Sequence, residues 1–490
     1  MPTCTDRCAD TRADTRAEME PGVRLEHDLL GELAVPDEAL YGIHTAGARQ
    51  NFTITGDSLE RYPLLIEALA TVKQAAAAAN RRCGRLDPTI AAAIIDACEQ
   101  LRRGEHHDQF VVDPLQGGAG TSTNMNVNEV IANLALERSG RRRGEYDAIH
   151  PLEHINLGQS TNDVYPTAVK LAMHRAAGDL LESLRSLRPA LGAKAEEFST
   201  CVKLGRTQLQ DAVPMTLGQE FRAFAGTLAK DEAALEDARR QLCEVNLGGT
   251  AIGTSLNAHP DFRSYALEEL RRLTGIQDLC SAADLVEATQ DTGAFVHLSG
   301  VLRRTAVKLS KICNDLRLLS SGPRAGLHEI NLPAVQAGSS MMPGKVNPVI
   351  PEVVNQVAFE VIGNDVTVTL AAEAGQLQLN AFEPVIARAV LDSAAHLDAG
   401  ARALAERCVG GITANREHLA NLLRESVVTV THLSPVLGYA RASELAAEEL
   451  AVGGGVLQLA LSKGLLDEAQ VGEIEEAAAG QVRASWHAER

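Results

Sequence analysis

Apolar residues recur along much of this chain at steps of three and four, the spacing of one face of an α-helix. Between residues 216 and 246, Leu217, Phe221, Phe224, Leu228, Leu235, Ala238 and Leu242 fall on one stripe. Between 284 and 320 the same steps link Phe295, Leu298, Leu302, Leu309, Ile312, Leu316 and Leu319, with one step of seven. Leu180, Leu184, Leu187 and Leu191 repeat the pattern earlier. Stripes of this length predict long helices packed at shallow angles. A helix of about 36 residues is about 54 Å long at 1.5 Å per residue. One subunit does not cover several such helices, so the pattern predicts a bundle that continues across subunits.

Punctuation divides the rest. In "DPTIAAAIIDACEQLRRG", Asp87 stands where an N-cap is needed, Pro88 at the first helical position and Gly104 as the stop. The stretch from Leu30 to about Tyr62 is mixed, with short apolar pieces and turn residues. After about Thr413 the helices shorten, with "SPVLGY" and "VGGGV" between them. The expectation is a mainly α protein in three folded units. A disordered leader covers 1–22, where "ADTRADTRAEME" repeats in tandem. An N-terminal mixed, mostly helical domain follows over 23–161, then a central long-helix bundle over 162–416 and a small helical domain over 417–490.

Composition narrows the functions available. Aromatics are only 3% of the 490 residues, and the abundant Ala and Leu favour helices. A formal net charge of −18 repels nucleic acid and anionic lipid, so neither is an expected partner. No apolar run is long enough to span a membrane, and the N-terminus carries no apolar signal core. Nine cysteines stand singly, as reduced thiols do in a cytoplasmic protein. Cys4 and Cys8 are close, but no second pair completes a zinc site.

Four polar segments interrupt the helical pattern: "GGAGTSTNMNVNE" (117–129), "GQSTND" (158–163), "GRTQLQDAVPMTLGQE" (205–220) and "AGSSMMPGKVNPVIPE" (337–352). Each is rich in hydroxyls and amides and precedes a predicted helix. Helix starts with such side chains form anion-binding surfaces without a formal charge; taken singly, each reads more readily as caps and turns, and it is the four together that call for another account. Lys345 adds a cation where lysines are scarce, since none occurs from Asp231 to Val307 or from Val346 to Ser462. Common motifs are absent: "PGKVNP" lacks the upstream glycine of a nucleotide loop, "AGSSM" is not GxSxG, and there is no HExxH.

"GSSMMPGKVNPVIPEVVNQ" resembles the signature loop GSSxMPxKxNP of the fumarase/aspartase superfamily, and the other three segments occur in that family's order. The resemblance covers nearly the whole chain after about Arg24. "YGIHTAGARQNF", "KICNDLRLLSSGPRAGLHEINLP" and "AAEAGQLQLN" are most similar to its aspartase branch. The resemblance implies elimination of ammonia from L-aspartate to give fumarate, with water elimination from L-malate, or another fumarate-forming carbon–nitrogen lyase, as the alternative. It implies Ser339 as the base, and Lys345 and Asn347 on the α-carboxylate. Thr121, Ser160, Thr161 and Ser340 would be neutral donors to the developing aci-carboxylate, and Asn162, Thr121 and Thr207 would hold the amine. Gln208 stands where fumarases, and some aspartases, carry the His of GRTH; an ammonium leaves as ammonia and needs no general acid there. "HPLE" (150–153) departs from the HPND of fumarases, so His150 and His154 read as surface or helix-cap residues. The resemblance further implies a homotetramer whose central helices form one multi-helix core, with each site built from three chains. No organic cofactor is implied. Some aspartases are activated by divalent cations, but no ligand set in this chain supports such a site.

Overall fold

The computed structural model describes residues 22–488, so Cys4, Cys8 and the expected leader up to residue 21 lie outside the described residues. The chain is mainly helical. Strands β1 (Val23–Asp28) and β2 (Gly31–Pro36) form an antiparallel hairpin. Helices α1 (Ile43–Asn51), α2 (Pro63–Arg82), α3 (Pro88–Arg102), α4 (Thr121–Arg138) and α5 (Thr161–Glu197) follow. A second hairpin joins β3 (Val202–Thr207) to β4 (Gln210–Thr216). Then come α6 (Leu217–Gln241), α7 (Phe262–Thr274), α8 (Leu285–Gln290), α9 (Gly293–Leu319), α10 (Val349–Glu373) and α11 (Glu383–Arg407). The chain ends in α12 (Arg416–Glu425), α13 (Val430–Leu437), α14 (Tyr439–Val452), α15 (Val456–Ser462) and α16 (Glu468–Ala488).

Two compact units result. The first holds the described residues up to Val169, with Val245–Gln290 and Gln376–Pro384. In it α2 packs against α3 and α7, and its apolar residues are buried from Leu65 to Ala79 on every face. The cap expected on α3 is present, with the Asp87 carboxylate accepting from the Thr89 and Ile90 amides. The start of α1 is capped from α4: Glu129 accepts from the amides of Gly42 at 2.8 Å and His44 at 2.9 Å. That bond set explains why "YGIHT" starts a helix without a local N-cap side chain.

The second unit holds Lys170–Glu244, Asp291–Gly375 and Val385 onward. Here α9 packs against α10 and α6, and the stripe residues Leu217, Phe221, Phe224, Leu228, Leu298, Leu302, Leu309 and Leu316 are all buried. The stripe read over 284–320 is helical as one piece only from Gly293, because the Asp291 carboxylate takes the Gly293 amide at 3.0 Å and starts a new helix. The longest helix is α5, with 37 residues. Buried polar side chains fix the register of the bundle. Asn355 of α10 donates to Ser310 Oγ at 2.8 Å and Asn314 Oδ1 at 3.0 Å on α9, and accepts from Arg317 at 3.1 Å. Fully buried Asp231 of α6 accepts from Arg304 at 2.6 Å and Lys308 at 2.9 Å. The small helices expected late in the chain share a core of Leu433, Ala442, Leu445, Val456, Leu457 and Ala460.

One segment differs from expectation. Residues 205–216 are not a loop running into a helix but most of a β-hairpin. Its two-residue turn places Gln208 at φ 53° and Leu209 at φ 65°, the left-handed pair of a type I′ turn. No single described helix is long and apolar enough to cross a membrane.

Candidate active site

In the first unit the starts of α4 and α5 lie together. Gly120 has φ 86°, and a Cβ there would sit 2.6 Å from the buried Tyr165 ring of α5, so only glycine lets the "GGAG" turn close. Asn124, one turn into α4, donates to Thr161 Oγ1 at 3.0 Å. Ser160 is the cap of α5, its Oγ accepting from the Asn162 amide at 3.2 Å. The hydroxyl oxygens of Ser160 and Thr161 therefore already accept protein bonds, and their protons remain available for an anion. Thr121 is the reverse: its hydroxyl donates to the Gly118 carbonyl at 2.7 Å, which leaves its lone pairs for a donor such as an ammonium. The Asn162 Nδ2 donates to the Ala251 carbonyl at 2.7 Å.

Beneath this loop lies a buried polar network that the sequence reading missed. Lys73 of α2 is fully buried, and its Nζ donates to Asn156 Oδ1 at 2.9 Å and Gln159 Oε1 at 3.1 Å. Burial pushes its ammonium down to about 7, against the pull of Asp163. Asp163, also fully buried, accepts from the Ser160, Gly248 and Thr250 amides at 2.9, 3.0 and 2.9 Å. Burial raises its carboxyl above the usual range, opposed by those three amides. The available signal was a lone lysine beside the alanine run of "TVKQAAAAAN".

In the second unit the signature loop is a closed turn. Gly338 donates to the Lys345 carbonyl at 2.8 Å, and Asn347 Nδ2 returns to the Gly338 carbonyl at 2.6 Å. A Cβ on Gly338 would come within 2.5 Å of the Lys345 oxygen, which accounts for glycine before the two serines. The Ser339 Oγ accepts from the Met341 and Met342 amides at 3.1 and 3.0 Å. Two N–H groups on one hydroxyl oxygen favour its ionised form. Ser340 and Lys345 are exposed, and Lys345 has no ion pair among the described residues. A cleft of about 680 Å³ adjoins the loop, lined in part by Arg317, His328, Asn331, Lys345, Asn347 and Glu352.

Thr207 and Gln208 occupy the exposed tip of the β3–β4 hairpin, in the same unit as the signature loop. The hairpin's base is pinned by a second group that the sequence reading missed. Lys203, nearly fully buried, pairs with Glu329 at 2.6 Å and Glu220 at 2.7 Å, and Arg206 also pairs with Glu329. His150 caps the turn after it, its Nδ1 accepting from the Leu152 and Glu153 amides, and the His150 amide donates to His154 Nδ1 at 2.8 Å. His150 is thus a helix cap, one of the two roles expected for the pair, while His154 lies within the turn and accepts the His150 amide. Among the described residues no group of three His, Cys, Asp or Glu is placed to hold a metal ion.

Comparison with known proteins places these loops in context. Residues 31–363 match the lyase family, and residues 430–477 match the fumarase C C-terminus family. The chain is 58% identical to the aspartate ammonia-lyase of Pseudomonas canavaninivorans over 92% of its own length and 95% of the relative's. It is 50% identical to that of Escherichia coli K12, over 93% and 95%. Among solved structures it resembles the cobalt-bound fumarate lyase:delta crystallin of Brucella melitensis, with 55% identity, a TM-score of 0.90 and coverage of 94% of this chain and 99% of that one. It also resembles the class II fumarase of Schistosoma mansoni, with 35% identity, a TM-score of 0.87 and coverage of 94% and 99%.

Proposed function

The chain belongs to the fumarase/aspartase superfamily of lyases, and on that premise we propose that it is an aspartate ammonia-lyase, a carbon–nitrogen lyase that converts L-aspartate to fumarate and ammonia. The hard step is removal of the C3 proton, because the bond's electron pair moves onto a carboxylate that is already negative. Ser339 takes that proton. The observation that carries the assignment is the pair of amides on its Oγ, which stabilise the serine oxyanion that a base must become. Ser160, Thr161 and Ser340 donate to the aci-carboxylate; one such donor is typically worth about 10²–10³ in rate. Lys345 and Asn347 hold the other carboxylate, and the Lys345 charge works against the protein's net −18. Thr121, Asn162 and Thr207 accept from the ammonium. Collapse of the aci-carboxylate forms the C2–C3 double bond, and the C–N pair leaves on nitrogen as ammonia. Gln208 has no proton to give and the leaving group needs none.

The reaction so written uses proton transfer and charge stabilisation alone, so we assign it no organic cofactor and no resident metal. We also assign the enzyme to the cytoplasm, where singly placed thiols stay reduced. The assembly we propose is a homotetramer with sites shared between three chains. Exposed Phe359 and Leu370 on α10, at 62% and 63%, support it, because large apolar side chains in open water on a long helix mark a face awaiting a partner.

The test supplies L-aspartate and, separately, L-malate and follows fumarate absorbance. Fumarate is expected from aspartate, and its appearance from malate alone would overturn the assignment. Ser339→Ala is expected to lower kcat by about 10³-fold or more with the far-UV spectrum unchanged. A variant as fast as the parent would remove Ser339 from the mechanism.

A further inference from the structure

The segment after α6, "NLGGTAIGTSLNAH" (246–259), has no assigned role, yet it gathers three left-handed non-glycine residues within eight positions. Thr250, Ser255 and Asn257 all have left-handed backbones, at φ 58°, 57° and 67°. For β-branched Thr250 this conformation is costly, and such residues persist only where the surroundings over-determine them. Three contacts do so here. The Thr250 amide is held by Asp163 at 2.9 Å, the Ser255 amide returns to the Gly249 carbonyl at 2.9 Å, and Gly253 lies flat on the start of α8. A Cβ on Gly253 would sit 2.3 Å from the Leu285 carbonyl. The Thr250 hydroxyl gains no hydrogen bond from its position: the residue is 4% exposed, and its Oγ1 has no hydrogen-bond partner among the described residues. What the strained backbone does deliver is the Ala251 carbonyl, 2.7 Å from Asn162 Nδ2.

That bond settles which way the Asn162 amide faces. A carbonyl oxygen accepts only, so the group bonded to it is the NH₂, and the amide oxygen is turned the other way. We propose that the 248–257 loop is a positioning element for the leaving group: by holding Asn162 Nδ2 on the Ala251 carbonyl, it presents Asn162 Oδ1 as a fixed acceptor for the substrate's ammonium. With the amide reversed, an NH₂ would face the ammonium, donor against donor. The inference rests on the reading above that Asn162 meets the amine. Ala251, Gly253 and Thr250 act through Asn162 and touch no substrate.

The experiment uses the reverse reaction, in which ammonia and fumarate have separate KM values. Gly253→Ala lifts the loop off α8, and Thr250→Gly keeps the left-handed backbone accessible but frees it to wander. Each is expected to raise the KM for ammonia about tenfold or more while leaving the KM for fumarate within about twofold. Should Gly253→Ala fail to fold, as judged by its thermal transition, Thr250→Gly decides, since glycine accepts that φ without strain. Equal changes in the two KM values, or none, would overturn the loop's role. Asn162→Ala tests the reading beneath it: if the KM for ammonia does not move there, the amine assignment itself fails. A shift at Asn162 with none at 250 or 253 removes the loop alone.

Discussion

Lys73 shows how a single side chain ties site geometry to stability. Its ammonium loses its proton near pH 7 in the fold, against an ordinary value of 10.5, because burial disfavours the charge. Between those limits the unfolded chain binds a proton that the folded chain does not, so stability rises with pH across the window and falls as pH drops through it. One such proton changes stability by at most about 1.4 kcal/mol per pH unit. Lys73→Met is expected to flatten the rise in melting temperature between pH 7.5 and 9.5; a slope equal to the parent's would show that Lys73 keeps its proton. At this scale the sequence was partly readable. Ser339, Lys345 and Asn347 were legible through the resemblance of their loop to GSSxMPxKxNP, and the structure adds why a glycine precedes the serines, since a Cβ on Gly338 would meet the Lys345 oxygen. Lys73 and Asp163 were not visible as a network, because their partners Asn156, Gln159, Gly248 and Thr250 come from distant segments and only folding brings them within reach.

Among elements, the long helices were legible because burial of one face imposes its period on the sequence. The β3–β4 hairpin was not. Its turn is Gln208–Leu209 rather than the Asn-Gly or Asp-Gly that signals a type I′ turn, and its cost is met by tertiary pinning at the base. Glu329 is the centre of that pinning, fully buried between Lys203 and Arg206. Removing one partner of a buried ion pair typically costs about 3–5 kcal/mol. Glu329→Gln is therefore expected to lower the urea midpoint clearly and, by loosening the tip that carries Thr207 and Gln208, to reduce kcat/KM about tenfold or more. A stable variant with parental kinetics would show that the hairpin holds its shape without the pair.

For the whole molecule, exposed Phe359 and Leu370 on α10 bear on assembly. If sites are shared, two inactive variants with lesions in different loops complement each other. Equal mixtures of Ser339→Ala and Thr161→Ala, dissociated and reassembled, are expected to recover about a quarter of parental activity if their subunits assort at random. Zero recovery would place both loops of a site in one chain. Phe359→Asp with Leu370→Asp is expected to yield smaller, inactive species by sedimentation, and full activity in a monomer would refute the shared site. A last consequence follows from Asn355. It lies two turns beyond Asn347, and its bonds to Ser310, Asn314 and Arg317 mesh α10 with α9 like the teeth of a rack. Sliding by one helical turn would carry the serine loop about 5.4 Å and strand every tooth. The start of α10, from which the serine loop extends, is therefore fixed by the bundle, and on heating, activity and helical signal are expected to vanish at the same temperature.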